Sequence, residues 1–362
     1  MFIISVSSGA IRRLLFFAQK EENMEKKTQK EKIQELTERL EKGVKEVFES
    51  GAYENYLKVM SKFHRYSFRN TVLIWMQNPD ATYVAGYEAW KNDFNRQVKK
   101  GEKGIRIFAP TEYKVQKQQQ KIDKDTNLPM VDGMGQPVME TVEVKRRGYM
   151  ATSVFDISQT EGEELPELVK SLDSKVENYE AFVHAIEKIS PVPILFEQIG
   201  VSDGYYSLKE EQIHIDEDLG PTQTILTMIH EIAHAKLHNA EMKNKEAEEG
   251  KVKDKQTREV EAESIAYVVC QRYGIETGDN SFGYIASWSK DKELPQLQAS
   301  LQTISRTAYE MIKGMDKALG ELLSDKEKAS VLGHLDEQKG KVAEKSADIS
   351  KGRKTRNEEL IA

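Results

Sequence analysis

Hydrophobic positions recur at helical spacing in the charged stretch that follows Met24. Ile33, Leu36, Leu40, Val44 and Val47 fall on one face of an amphipathic helix reaching about Ser50. Helical patterning with aromatics continues over 53–78 and stops at Asn78-Pro79. The period then changes. Thr82-Tyr83-Val84 and a short helix from Tyr87 to Phe94 precede residues 98–107, where β-formers flank a glycine-bearing turn and predict a hairpin. Residues 111–140 are polar, with Asp132-Gly133 and Gly135, and predict a long mobile loop between strands. Strands resume at 141–144 and 149–155. Acidic residues with glycine and proline at 161–166 place a domain boundary there. Beyond it the pattern predicts a helix at 176–189, a strand at 192–196, and strands at Tyr205-Tyr206 and Ile213-His214-Ile215. Gly220-Pro221 opens a further helix, with proline in a favoured first-turn position. A charged loop at 241–256 and a helix at 257–273, stopped by Gly274, come next. The remainder reads as helical and increasingly charged. The class is α+β.

Charged residues make up 31% of the chain and hydrophobic residues 38%, a balance that suits a soluble protein. The one cysteine, Cys270, excludes an intramolecular disulfide and a zinc site with several cysteine ligands, and fits a reducing cytoplasm. No apolar run approaches the roughly 20 residues needed to span a bilayer, so no membrane partner is expected. Residues 1–20 place Arg12 and Arg13 after the first apolar residues, the reverse of a secretory signal. Residues 1–23 are therefore expected to be a disordered extension, or to come from a start codon placed too early, with Met24 as the real start.

A net charge of −7 argues against a protein that coats nucleic acid over its whole surface. The charge is uneven, however. Residues 51–110 carry ten basic and five acidic side chains, a net +5, which leaves −12 for the rest. Aromatics such as Tyr66, Phe68, Tyr87 and Trp90 are interleaved with those basic residues. That mixture tracks phosphates and stacks unpaired bases, and it equally describes the core of a small domain.

The chemistry concentrates at Thr227-Met-Ile-His230-Glu231-Ile-Ala-His234-Ala-Lys-Leu-His238. Residues four apart on a helix share a face, so His230 and His234 can offer two imidazole nitrogens to one ion. Glu231 stands beside them as a base for water activated by zinc. A third ligand is required if one position is to stay open for that water. The helix around Arg258 to Ala266 supplies it. Glu259 and Glu263 share a face, and Ala262 and Ala266 are small enough for close packing. Glu259 is assigned as ligand and Glu263 as the group orienting a histidine through its second ring nitrogen, with Glu261 as the fallback ligand. His238 reads as a neighbour of the site rather than a ligand. The strand at 212–216 is the expected edge for an extended peptide.

Tyr66-Ser67-x-x-Asn70, the run from Ala81 through Gly86-Tyr87 to Trp90, and Val98-Lys-Lys-Gly101-Glu-Lys-Gly104-Ile105 together resemble the amino-terminal domain of the ArdC-type antirestriction proteins. Val154-Phe-Asp-Ile-Ser-Gln-Thr160 and the stretch from Tyr205 to His234 extend that resemblance, which covers about 50–290. The HExxH half is also similar to the ImmA/IrrE group, whose third ligand is a Glu followed three residues later by Ala, a pattern that lands on Glu259 and Ala262. The group's usual Asp or Asn at the next position is Glu263 here.

The resemblance implies an α+β single-stranded-DNA-binding domain at 24–160, with 111–140 as an insert, and a zincin-like metallopeptidase domain at 161–320. A charged tail at 321–362 lies beyond. It implies an origin on a mobile element, protection of incoming DNA from restriction, zinc as cofactor, and single-stranded DNA and a protein substrate as partners. It also implies DNA contacts from Arg65, Arg69, Asn70, Lys99, Lys100 and Lys103, with Tyr87 and Trp90 as stacking surfaces. Two other readings stand beside it. One is a DNA-masking protein whose metal is structural; the other is a repressor-cleaving protease whose basic domain contacts protein.

Overall fold

The computed structural model describes residues 27–49, 51–124, 126–165, 176–200, 202–250, 252–275 and 282–322. The 1–23 extension, the Met24 start and the tail past Leu322 lie outside the described residues. Three helices come first. Helix α1 (Gln29–Val47) starts at a capping box in which the Glu31 carboxylate accepts from the Thr28 backbone N–H at 2.6 Å. Its apolar stripe, Leu36, Leu40, Val44 and Val47, is buried. Helices α2 (Ala52–Lys62) and α3 (Phe68–Gln77) divide the second helical stretch, and Ser67 caps α3.

The chain then runs through β1 (Val84–Ala85), α4 (Tyr87–Asp93), β2 (Arg96–Val98), β3 (Ile105–Gln120), β4 (Met139–Asp156) and β5 (Thr160–Gly162). The first sheet has the order β1-β4-β3, and β2 pairs separately with β5, Gln97 opposite Glu161. The hairpin expected at 98–107 does not form. Its turn, with Gly101 at φ +91°, instead passes the chain from one sheet to the other. The loop expected at 111–140 is strand at its two ends, 111–120 in β3 and 139–140 in β4. β3 and β4 pair without a break from Ile105↔Val154 to Gln120↔Met139, so the two short strands at 141–144 and 149–155 are one. Bridges Ile122↔Pro129 and Val131↔Pro137 organise the ribbon's tip. Much of this ribbon is exposed, so the alternation that marks a half-buried strand is weak along it.

The second half contains α5 (Val176–Ile189), β6 (Ile194–Glu197), β7 (Gly204–Ser207), β8 (Gln212–Asp216), α6 (Pro221–Leu237), α7 (Ala240–Glu248), α8 (Lys255–Arg272), α9 (Ile285–Ser289) and α10 (Leu294–Leu322). Helix α7 occupies part of the charged stretch expected as a loop. Its sheet has the order β6-β8-β7, with β6 parallel and β7 antiparallel to β8. The strand expected at an edge, β8, is therefore central; its hydrogen bonds are used on both sides, and β7 is an edge.

One core serves both halves. It joins Leu36, Tyr56 and Leu73 of the first three helices to Ile213 of β8, Met228 and Ile232 of α6, Ile265 of α8 and Ile304 of α10. Removal of this apolar surface from water is the main drive holding the amino-terminal helices on α6, α8 and α10. Among the described residues no helix is long and apolar enough to cross a membrane.

Candidate functional site

Strands β7 and β8 pack against α6. Gly204 makes the approach possible: a Cβ there would lie 2.7 Å from the His214 carbonyl oxygen and 2.8 Å from Cγ2 of Thr227. Helix α6 opens with Gly220 as N-cap and Pro221 in its first turn, where the missing N–H leaves no bond unmade. Ile225, Met228, Ile229 and Ile232 are buried and fix the helix's rotation. That rotation sets His230 and His234 side by side, their ring centroids 4.7 Å apart and their Nε2 atoms 3.1 Å apart.

Asp254 caps α8, accepting from the Thr257 N–H at 2.6 Å, and buried Ala262 and Ala266 let α8 lie close to α6. One carboxylate oxygen of Glu259 then reaches 3.7 Å from His230 Nε2 and 3.4 Å from His234 Nε2. The three donor atoms all lie within 4.8 Å of one another, a spacing at which a single ion can meet all of them. The adjacent imidazoles, His230 first, hold the Glu259 carboxyl far below the usual carboxylate range. Burial works to lower the His230 pKa, but Glu259, Glu231 and Glu263 outweigh it and raise it.

Glu231 is 8% exposed, and burial pushes its carboxyl up, against the pull of His230 and His234. It faces a cavity whose walls include Gly204, Gln223, Thr227, His230 and Glu263. Glu263 does not orient a histidine as expected. Its carboxylate accepts from the Tyr284 hydroxyl and makes no hydrogen bond to either ring among the described residues. Tyr284 carried no signal in the sequence, because it reaches Glu263 from outside both helices.

Behind the histidines the second ring nitrogen of His234 is used differently. His234 Nδ1 lies 2.9 Å from Nδ1 of His238, whose buried ring is pushed towards the neutral form by desolvation. Glu261, the fallback ligand, is 0% exposed and is not among the three grouped donors. Its carboxylate accepts from Lys253 at 2.8 Å and from Ser300 at 2.9 Å. The spacing alone could have separated these roles, since residues two apart on a helix point about 200° from each other.

The residues expected to contact DNA divide by burial. Arg65, Arg69, Tyr87, Lys99, Lys100 and Lys103 are exposed. Arg65 and Arg69 flank the start of α3, and the lysines occupy the turn between β2 and β3. Lys99 donates to the Ser158 carbonyl at 2.9 Å. Trp90 is 0% exposed, packs on Tyr83 and Phe94, and donates its indole N–H to the Phe155 carbonyl, so it offers no face to a base. Asn70 is buried as well. Its amide accepts from Phe108 N–H and donates to Phe108 C=O, each at 2.9 Å, so it occupies a β3 backbone position as a strand would. Both residues carry the appearance of a binding motif while holding the domain together.

Comparison with known proteins agrees with this layout. Residues 26–155 match the N-terminal domain of anti-restriction factor ArdC, and residues 188–273 match the IrrE N-terminal-like domain of the M78 peptidases. An uncharacterized protein of Bacillus anthracis is 30% identical over 298 residues, covering 74% of this chain and 48% of its own length. A DNA primase TraC of Escherichia coli is 27% identical over 204 residues, covering 54% of this chain and 18% of the primase. The chain thus spans less than half the length of the curated relatives it matches. Among solved structures, the antirestriction ArdC protein from the R388 plasmid is similar in metal-free form, at 20% identity and a TM-score of 0.40 over 71% of this chain and 84% of that one. Its Mn(II)-bound form gives 19% and 0.38 over the same shares. Residues 26–155 thus resemble an ArdC-type amino-terminal domain, and residues 188–273 an IrrE-like, metallopeptidase-like domain.

Proposed function

We propose that this chain is a single-stranded-DNA-binding zinc metallopeptidase of the antirestriction kind, acting on a protein near incoming DNA in the bacterial cytoplasm. The carrying observation is the convergence of His230, His234 and Glu259 on one point, with the buried carboxyl of Glu231 beside them. Two imidazole nitrogens and one carboxylate oxygen, with space on the cavity side, form the donor set of a catalytic zinc site. A zinc ion bound there polarises a scissile carbonyl and makes a water molecule more acidic.

The chain's own residues supply the remainder. Glu231 accepts the proton of the attacking water on its carboxylate and returns it to the departing amine. Its raised pKa brings that transfer closer to neutral pH. A purely structural site has no use for such a group. The substrate lies extended along β7, the strand edge beside Gly204, and pairs with its backbone. Arg65, Arg69, Lys99, Lys100 and Lys103 follow the phosphates, and Tyr87, 47% exposed, supplies a stacking face.

Glu231→Gln tests the reading. The variant should hold zinc and labelled oligo-dT as the parent does, yet fail to protect unmodified plasmid DNA entering a restricting host. Full protection by Glu231→Gln would remove hydrolysis from the mechanism and leave DNA masking.

A further inference from the structure

Among the described residues, buried His238 Nε2 has no hydrogen-bond partner, an unusual state for a ring nitrogen. The acidic oxygen facing it belongs to Glu261, at 3.8 Å. That gap exceeds an N–H···O bond, so the pairing is one of charge with dipole. The Glu261 carboxylate is held from two other directions, by Lys253 ahead of α8 and by Ser300 of α10, so its position is fixed.

The protons in this chain can be assigned. If His234 is to meet an ion through Nε2, that nitrogen carries a lone pair and the ring's proton sits on Nδ1. Nδ1–H then donates to His238 Nδ1 at 2.9 Å, which must present its own lone pair. The proton of neutral His238 is thereby placed on Nε2, pointing at the Glu261 carboxylate. The opposite tautomer of His238 would set two N–H groups against each other, or force His234 to carry its proton on the ligating nitrogen.

We propose that Glu261, acting through His238, is a positioning residue for the metal centre: it fixes the tautomer of His238 and so the lone pair that His234 offers to the ion. This rests on the metal-centre reading above. Partners behind a ligating histidine typically change metal affinity by about 10- to 100-fold.

The test measures zinc affinity of the full chain by competition with a chromophoric chelator. Nitrogen-detected NMR of the metal-free protein reads the His234 tautomer in parallel. His238→Leu and Glu261→Gln should each weaken zinc by about 10- to 100-fold and mix the His234 tautomers. His238→Gln, whose amide oxygen can accept the same bond, should recover part of the affinity, which a space-filling role would not explain. If His238→Leu does not fold, Glu261→Gln carries the test. Wild-type zinc affinity and an unchanged tautomer in the variants would overturn the proposal while leaving the metal centre standing. A parent chain that binds no zinc would overturn both.

Discussion

The hydroxyl of Tyr53 lies 2.7 Å from that of Ser264, with both residues buried. Tyr53 belongs to α2, in the segment matched to the ArdC amino-terminal domain; Ser264 belongs to α8, five residues past Glu259. Ser264 donates onward to the Val260 carbonyl, so the Tyr53 hydroxyl is the donor between the two. A buried hydrogen bond thus ties the first domain to the helix that carries a proposed ligand.

Tyr53→Phe should lower stability by about 1 kcal/mol, the net contribution of one such bond. Urea unfolding followed by near-ultraviolet circular dichroism should show a single transition in parent and variant, because the core is shared. Two separated transitions would contradict that coupling.

Metal content discriminates the proposed ligands. The parent should carry one zinc per chain, and His230→Ala, His234→Ala and Glu259→Ala should each lose it by elemental analysis. Zinc should also stabilise the parent, by about 2.7 kcal/mol at a hundredfold excess over Kd, and leave the three variants unaffected.

The amino-terminal residues should separate by role. Asn70→Ala removes both bonds to Phe108 and should cost about 1–3 kcal/mol of stability through the unpaired backbone groups. Its folded fraction should bind oligo-dT normally. Lys100→Ala and Lys103→Ala should do the reverse, leaving the melting temperature unchanged and lowering the salt dependence of binding by about 0.7 per lost phosphate contact. Equal salt slopes in parent and lysine variants would remove the turn from the DNA surface.

Asp254 links pH to the helix that carries Glu259. Burial acts to raise its pKa, but Lys292 and the Thr257 N–H outweigh that and hold its carboxyl down at about 2, from an ordinary 3.8. The folded pKa is depressed, so the associated stability is present above the ordinary value and is lost as pH falls towards 2. Asp254→Ala should cost about 1 kcal/mol near pH 6 through the lost N-cap. Denaturation at pH 6 and at pH 2.5 should show the gap between parent and variant narrowing in acid. A gap independent of pH would assign the effect to helix propensity alone.

The sequence by itself determined what depends on neighbours along the chain. Gly220 with Pro221 marked the start of α6, because a first-turn proline is read within a single turn. His230, Glu231 and His234 were legible because one helical turn is enough to align them, and Glu259 was assigned from a helix face that small Ala262 and Ala266 allow to pack close to them. Tertiary structure decided whatever depends on a distant partner. The residues of β2 and β3 do not state that one pairs with β5 and the other with β4. The central place of β8, and the edge left to β7, follow from strand order, to which a run such as Ile213-His214-Ile215 is blind. Trp90 and Asn70 have the same composition whether they face a nucleotide or the Phe155 and Phe108 backbone, and only packing separates the two. The line from His234 through His238 to Glu261 joins two helices, and no period in either one records it.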